Sequence, residues 1–143
     1  MNTKHTMILA AIASLSFLCG CQEKGPAIAK RNPDFRIAYN KVVIIDRNLQ
    51  DPDDKKTRLA VETNEPRRTA TGTLEVTVVL RNRTNFPQQV DCRTRFFGSN
   101  KNEVEDASAW QRVFLAPKSI ATYKGLSMVP QAEMYLVEIQ EGH

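Results

Sequence analysis

Among the side chains with chemistry to offer, Cys21 is the one whose surroundings define a reaction. Ahead of it, Lys4 and His5 make a short basic start, Met7 to Phe17 is an apolar run without charge, and Leu18-Cys19-Gly20 closes the segment on a small residue. A hydrocarbon core takes about 20 apolar residues to cross, so this run is too short to span one. A basic start, a short apolar region and a small-residue junction describe the signal peptide of an exported protein, here cut in front of Cys21. The other reactive groups are sparse. His143, the one histidine beyond this segment, stands at the chain's end, poorly placed as the positioned base that a serine or cysteine nucleophile needs. One histidine also falls short of a His/Cys metal site. The six glycines are scattered singly, so no phosphate-cradling loop is present. The carboxylates Asp51/Asp53/Asp54 and Glu103/Glu105/Asp106 lack the ligand set and turn glycine of a calcium loop and read as solvated acidic loops. No catalytic residue, metal or cofactor is expected, and the chain reads as a non-enzyme.

Leu18-Cys19-Gly20-Cys21 resembles the lipobox of bacterial lipoproteins. The resemblance implies diacylglycerol on Cys21, cleavage before it, and a mature protein held at a membrane by lipid. Each buried methylene contributes about 0.8 kcal/mol and a single chain binds reversibly, so two or three chains make a durable anchor. In Gram-negative lipoproteins an Asp after the modified cysteine marks inner-membrane retention. Gln22 therefore implies the outer membrane, facing the periplasm.

Residues 21–143 are the size of one domain. With Cys19 lost and Cys21 acylated, Cys92 has no intrachain partner, and an apolar core must hold the fold without a disulfide. Free cysteines are among the most buried residue types, which makes Cys92 a core residue, with a reactive thiol as the alternative. The formal net charge is +4. Its basic residues are dispersed and interrupted by acidic clusters, unlike the one-sided basic face of a nucleic-acid binder.

The elements that must carry these residues are β-strands. Residues 21–34, polar with Gly25, Pro26 and Pro33, read as a flexible tether, and residues 35–143 as the folded domain. Leu74, Val76, Val78 and Leu80 alternate with Glu75, Thr77 and Arg81, and Val90, Cys92, Thr94 and Phe96 alternate with Gln89, Asp91, Arg93, Arg95 and Phe97. That period of two predicts half-buried strands over 72–82 and 88–97. Further strands are predicted over 35–45, 58–63, 110–115, 120–126 and 132–140, with turns at 65–68, 82–87, 98–102 and 116–119. Residues 103–109 could hold at most a turn of helix. About seven short strands with regular turns predict an all-β, immunoglobulin-like antiparallel β-sandwich.

The stretch from Leu74 to Glu138 resembles the YcfL-type family of bacterial periplasmic lipoproteins, which is grouped as a domain of unknown function. The residues that carry the likeness are Leu80-Arg81-Asn82-Arg83-Thr84, Arg95-Phe96-Phe97 before a polar turn, Trp110, Leu115-Ala116-Pro117 and the closing run from Ala132 to Ile139. Gly98-Ser99 stands where the family pattern has Asp and Gly. The resemblance implies a sandwich and a lipoprotein address, and brings no known catalytic residue.

What remains is recognition, for which aromatic and arginine side chains are the usual anchors. Arg93, Arg95, Phe97 and Trp110 are the candidate partner surface, the first three sharing one outward strand face. For Trp110 the competing reading is a core tryptophan between the sheets, and for Phe97 burial beneath a neighbouring segment. The expected role is a lipid-anchored, non-catalytic adaptor for an envelope protein. The alternatives are a binder of a small ligand, glycan or peptidoglycan, and a purely structural envelope component.

Overall fold

The computed structural model describes residues 39–50 and 57–142. The signal segment, Cys21, the tether, residues 35–38 of the first predicted strand, Asp51 to Asp54 and His143 lie outside the described residues. Seven strands form two sheets: β1 (Lys41–Ile44), β2 (Leu59–Arg68), β3 (Leu74–Asn82), β4 (Gln88–Phe97), β5 (Gln111–Leu115), β6 (Ile120–Leu126) and β7 (Met134–Glu141). One sheet runs β1-β7-β4-β5 and the other β2-β3-β6. Four strands over three is the division of an immunoglobulin-like sandwich, an architecture shared by domains of differing strand order. Here β6 and β7, consecutive in sequence, lie in opposite sheets. All pairings are antiparallel except β1 with β7, which is parallel. Parallel strands need a long crossover, and the whole domain between β1 and β7 provides it.

The alternation read from the sequence becomes the core. Leu74, Val76, Val78 and Leu80 of β3 face Val90, Cys92 and Phe96 of β4 and Tyr135, Val137 and Ile139 of β7, all buried. The two sheets approach closely where Gly125 of β6 lies over Thr94 of β4. A Cβ at Gly125 would stand 2.2 Å from Thr94 Oγ1, so no larger residue fits without parting the sheets. Beside it, the Thr94 and Tyr123 hydroxyls are bonded at 3.0 Å, which satisfies two polar groups inside an apolar layer.

Two predicted elements differ. The turn predicted at Glu65-Pro66-Arg67-Arg68 is the second half of β2. Thr69 donates its amide to Thr73 O at 2.9 Å, which sets the parity of the ladder. Arg67 and Glu65 then exchange bonds with β3, while the nitrogen of Pro66 lies at the free edge. Proline is tolerated on such an edge because no ladder bond is lost. Residues 103–109 carry no helix. They run beside β4 instead, with Val104 N donating to Phe96 O at 3.1 Å and Ser108 N to Thr94 O at 2.9 Å.

Cys92 is fully buried. Burial, with Asp91 beside it, pushes its thiol up to about 12, against about 8.5 for a free cysteine. Only the thiolate attacks electrophiles, so at pH 8 the native chain should alkylate at Cys92 roughly a thousandfold more slowly than the unfolded chain. Mass spectrometry of the Cys92 peptide after an iodoacetamide pulse checks this; equal labelling in both states would contradict it. The sign for stability follows from the same shift. The raised thiol contributes fully below about pH 8.5 and its contribution is lost as pH climbs toward 12. Tyr123 and Tyr135, also pushed up by burial, act in the same alkaline direction.

Candidate functional site

The outer face of the four-stranded sheet gathers the candidate residues. The registers Asp91↔Arg112, Gln89↔Phe114, Arg93↔Glu138 and Arg95↔Leu136 place β4, β5 and β7 side chains together on this face. Its centre is Glu138, 2% exposed. Arg93 Nε donates to Glu138 Oε2, Arg95 Nη1 lies 3.8 Å from Glu138 Oε1, and Arg95 Nε donates to Glu103. The hydrogen bond with Glu103 raises the Arg95 guanidinium above its ordinary range and holds the Glu103 carboxyl below its own. Arg112 grips Asp91 through two bonds of 2.9 and 3.1 Å. A bidentate fork of this kind fixes geometry as well as charge.

Trp110 does not pack between the sheets. It is 36% exposed and lies on the outer face with the Arg93 guanidinium 4.4 Å from its ring centre, a cation–π distance. Its exclusion from the core follows from its position just ahead of β5, on the same side as Arg112 and Phe114. Phe97 goes the other way. Although it points outward from β4, it is 2% exposed, because Tyr39 meets it edge-on at 5.1 Å and 89° and Arg95 lies 5.8 Å from its ring. Phe97 is thus withdrawn from the candidate surface, while Arg93, Arg95 and Trp110 are brought together on it.

Two further members of the face are Arg112 and Phe114, the latter 66% exposed. Their signal is the spacing of two in Trp110, Arg112 and Phe114. The result is an exposed Trp and Phe either side of an arginine, beside a layer of guanidinium groups already matched to carboxylates. Such a face presents apolar and stacking surface without stranding charge on contact, the composition found at the energetic centres of protein interfaces.

The acidic run 103–106 has structural duties. Glu103 holds Arg95, and Glu105 accepts the Met128 amide at 2.9 and 3.3 Å. Among the described residues no group of three or more His, Cys, Asp or Glu could hold a metal ion. A cleft of about 300 Å³ opens between β1 and β2, lined by Val42, Ile44, Leu59 and Val61 with Gln50, Thr57, Ala60 and Arg83. Its lining offers aliphatic and polar groups rather than the aromatic platforms of a glycan site.

Two of the segments that carry the sequence resemblance meet at Asn82. Its side chain is fully buried. Nδ2 donates to the carbonyls of Phe86, Ala116 and Leu115 at 2.8, 2.9 and 3.3 Å, and Oδ1 accepts from Thr84 N and Oγ1 at 2.9 and 2.7 Å. The Asn-Arg-Thr turn and the Leu-Ala-Pro turn are thus bonded to one amide at one end of the sandwich.

The chain is similar in fold to two crystal structures. Campylobacter jejuni cj0090 aligns with a TM-score of 0.53 at 17% identity over 72% of this chain and 99% of its own. A DUF1425 family member from Shewanella sp. pv-4 aligns with a TM-score of 0.54 at 19% identity over 59% and 79%. No curated protein matches the sequence significantly. Residues 47–141 match the family described as "Protein of unknown function (DUF1425)". The match spans every strand but β1, and the chain belongs to the DUF1425 family.

Proposed function

We propose that this protein is a lipid-anchored, non-catalytic accessory protein of the bacterial cell envelope. In this reading it is cut before Cys21, acylated there, and carried on the outer membrane facing the periplasm. The polar residues 21–34 lift the sandwich from the membrane surface, and the outer face of the four-stranded sheet docks an envelope protein. The observation that carries the docking role is the exposure of Trp110 and Phe114 on a face whose arginines already hold carboxylate partners. The run Leu18-Cys19-Gly20-Cys21 supports the anchor.

Replacing Cys21 by Ser tests the anchor. The wild-type chain should sediment with membranes and take up labelled palmitate. The C21S chain should lose the label and either leave the membrane fraction or accumulate as an uncut precursor. Unchanged sedimentation together with unchanged labelling would refute acylation at this position.

A further inference from the structure

We infer that the free edge of β6 is a self-association surface through which two copies of this chain join their three-stranded sheets across a two-fold axis. An exposed sheet edge invites pairing, and proteins that must avoid it blunt the edge with proline, charge or bulges. The opposite edge of the same sheet, β2, has all of these: Pro66, a register shift between Val61 and Thr63, and Glu62, Glu65, Arg67 and Arg68. β6 runs Ile-Ala-Thr-Tyr-Lys-Gly-Leu, with no proline, no register shift and one charge. Among the described residues no strand pairs with its second side.

The ladder shows which groups are offered. Asn82 N donates to Ser119 O, and Ser127 N donates to Leu74 O, both at 2.9 Å. In an antiparallel pair bonded and non-bonded positions alternate. Ala121, Tyr123 and Gly125 therefore spend their N–H and C=O on β3, while those of Ile120, Thr122, Lys124 and Leu126 point to the free edge. The run is closed at its far end, where the next outward amide, that of Met128, is already held by Glu105.

The occupant is argued from the strand's own symmetry. About Tyr123 the chain reads the same way in both directions by chemical type: apolar, small, polar, aromatic, polar, small, apolar. A second copy laid antiparallel with Tyr123 opposite Tyr123 sets Ile120 against Leu126, Ala121 against Gly125, and Thr122 against Lys124. Every outward N–H then meets a C=O. The exposed Ile120 and Leu126, 58% and 50% accessible, cover each other at both ends. One step farther, Lys118 of the second copy comes opposite Met128, beside the Glu105 carboxylate, so opposite charges meet at each end. The neighbouring two-fold registers are excluded by the same side chains. One sets Lys124 against Lys124, and the other sets Ile120 against Lys124. A self-complementary patch of this kind forms a closed, isologous dimer.

The test is the mass of the full-length chain in detergent, measured by light scattering at tens of micromolar. The wild-type protein should run as two chains. Thr122→Pro removes an outward N–H and no bond to β3, so it should keep the far-ultraviolet spectrum of the wild type and run as one chain. The pair Thr122→Cys and Lys124→Cys reads the register directly. Bonded antiparallel positions stand about 5.5 Å apart, inside the range a disulfide spans. The double variant should form a disulfide-linked dimer on mild oxidation, and Thr122→Cys alone should not. A wild-type monomer, a dimer that Thr122→Pro leaves intact, or a double-cysteine chain that fails to cross-link would each overturn the inference. Should Thr122→Pro fail to fold, the cysteine pair decides alone.

Discussion

Replacing Asn82 by Ala should cost about 2–3 kcal/mol, a large loss for a polar substitution. The side chain satisfies three carbonyls and the Thr84 amide in a fully buried site. Ala would remove the amide that joins the two turns and leave the part-buried Thr84 N–H without its acceptor, while Phe86 O keeps the Thr84 hydroxyl and Ala116 O keeps Ser119. For a domain near 100 residues this corresponds to a fall in Tm of roughly 10–20 °C. Asn82→Asp is the sharper probe, since it keeps shape and replaces the donor with a carboxylate facing carbonyl oxygens. Thr84 would still donate to one carboxylate oxygen, but the other would face carbonyl oxygens in a fully buried site, so the Asp would have a raised pKa in the folded state. Its protonated form is then favoured by folding, so the deficit should be smallest in acid and grow as pH rises above about 3.9. Urea unfolding at pH 4 and pH 7 reads both effects. A loss under 1 kcal/mol for Asn82→Ala would show that the two turns do not depend on this amide.

The second large effect concerns Glu138. Removing both Arg93 and Arg95 would leave a carboxylate that is 2% exposed without a positive partner. Uncompensated buried charge is costly, and the double variant should lose about 2–4 kcal/mol. The arginines themselves are partly solvated, with side-chain exposures of 31% and 23%, so the penalty arises from the stranded Glu138 rather than from lost attraction. Adding Glu138→Gln to the double variant should therefore restore most of the loss. Strictly additive destabilisation across the three substitutions would contradict the network. Because Arg93 also stacks on Trp110, the same double variant should brighten or shift tryptophan fluorescence while the chain is still folded.

The parts of this fold that were legible in the sequence are those governed by alternation along one strand. Leu74 to Leu80 and Val90 to Phe96 lie where their period of two puts them, and Cys92 follows from its neighbours. The departures are all tertiary. Pro66 sits within a strand because β2 is a sheet edge, and edge position is set by strands elsewhere in the chain. The parallel pairing of β1 with β7 joins the two ends of the domain, beyond any local pattern. Phe97 is outward by alternation yet covered by Tyr39, whereas Trp110, large and apolar, lies on the outer side set by its spacing from Arg112 and Phe114, with Arg93 stacked on it. Arg112 and Phe114 carried a readable spacing with Trp110, but their meaning depended on Asp91 and Glu138 arriving from two other strands. Asn82 was visible as part of a motif. That it bonds both turns to one amide became visible only with the 82–87 and 116–119 segments in place.

The central claim, that the outer face of the four-stranded sheet docks an envelope protein, is tested most directly by a photoactivatable residue at Phe114 in the full-length chain in living cells. Phe114 is 66% exposed and lies outside the buried core cluster. Illumination should yield one discrete adduct with a protein of the cell envelope, and the same probe at Thr77, on the outer face of the other sheet, should not give it. The adduct should weaken when Trp110 is replaced by Ala. No adduct at Phe114, or the same adduct from both faces, would contradict the assignment of this surface.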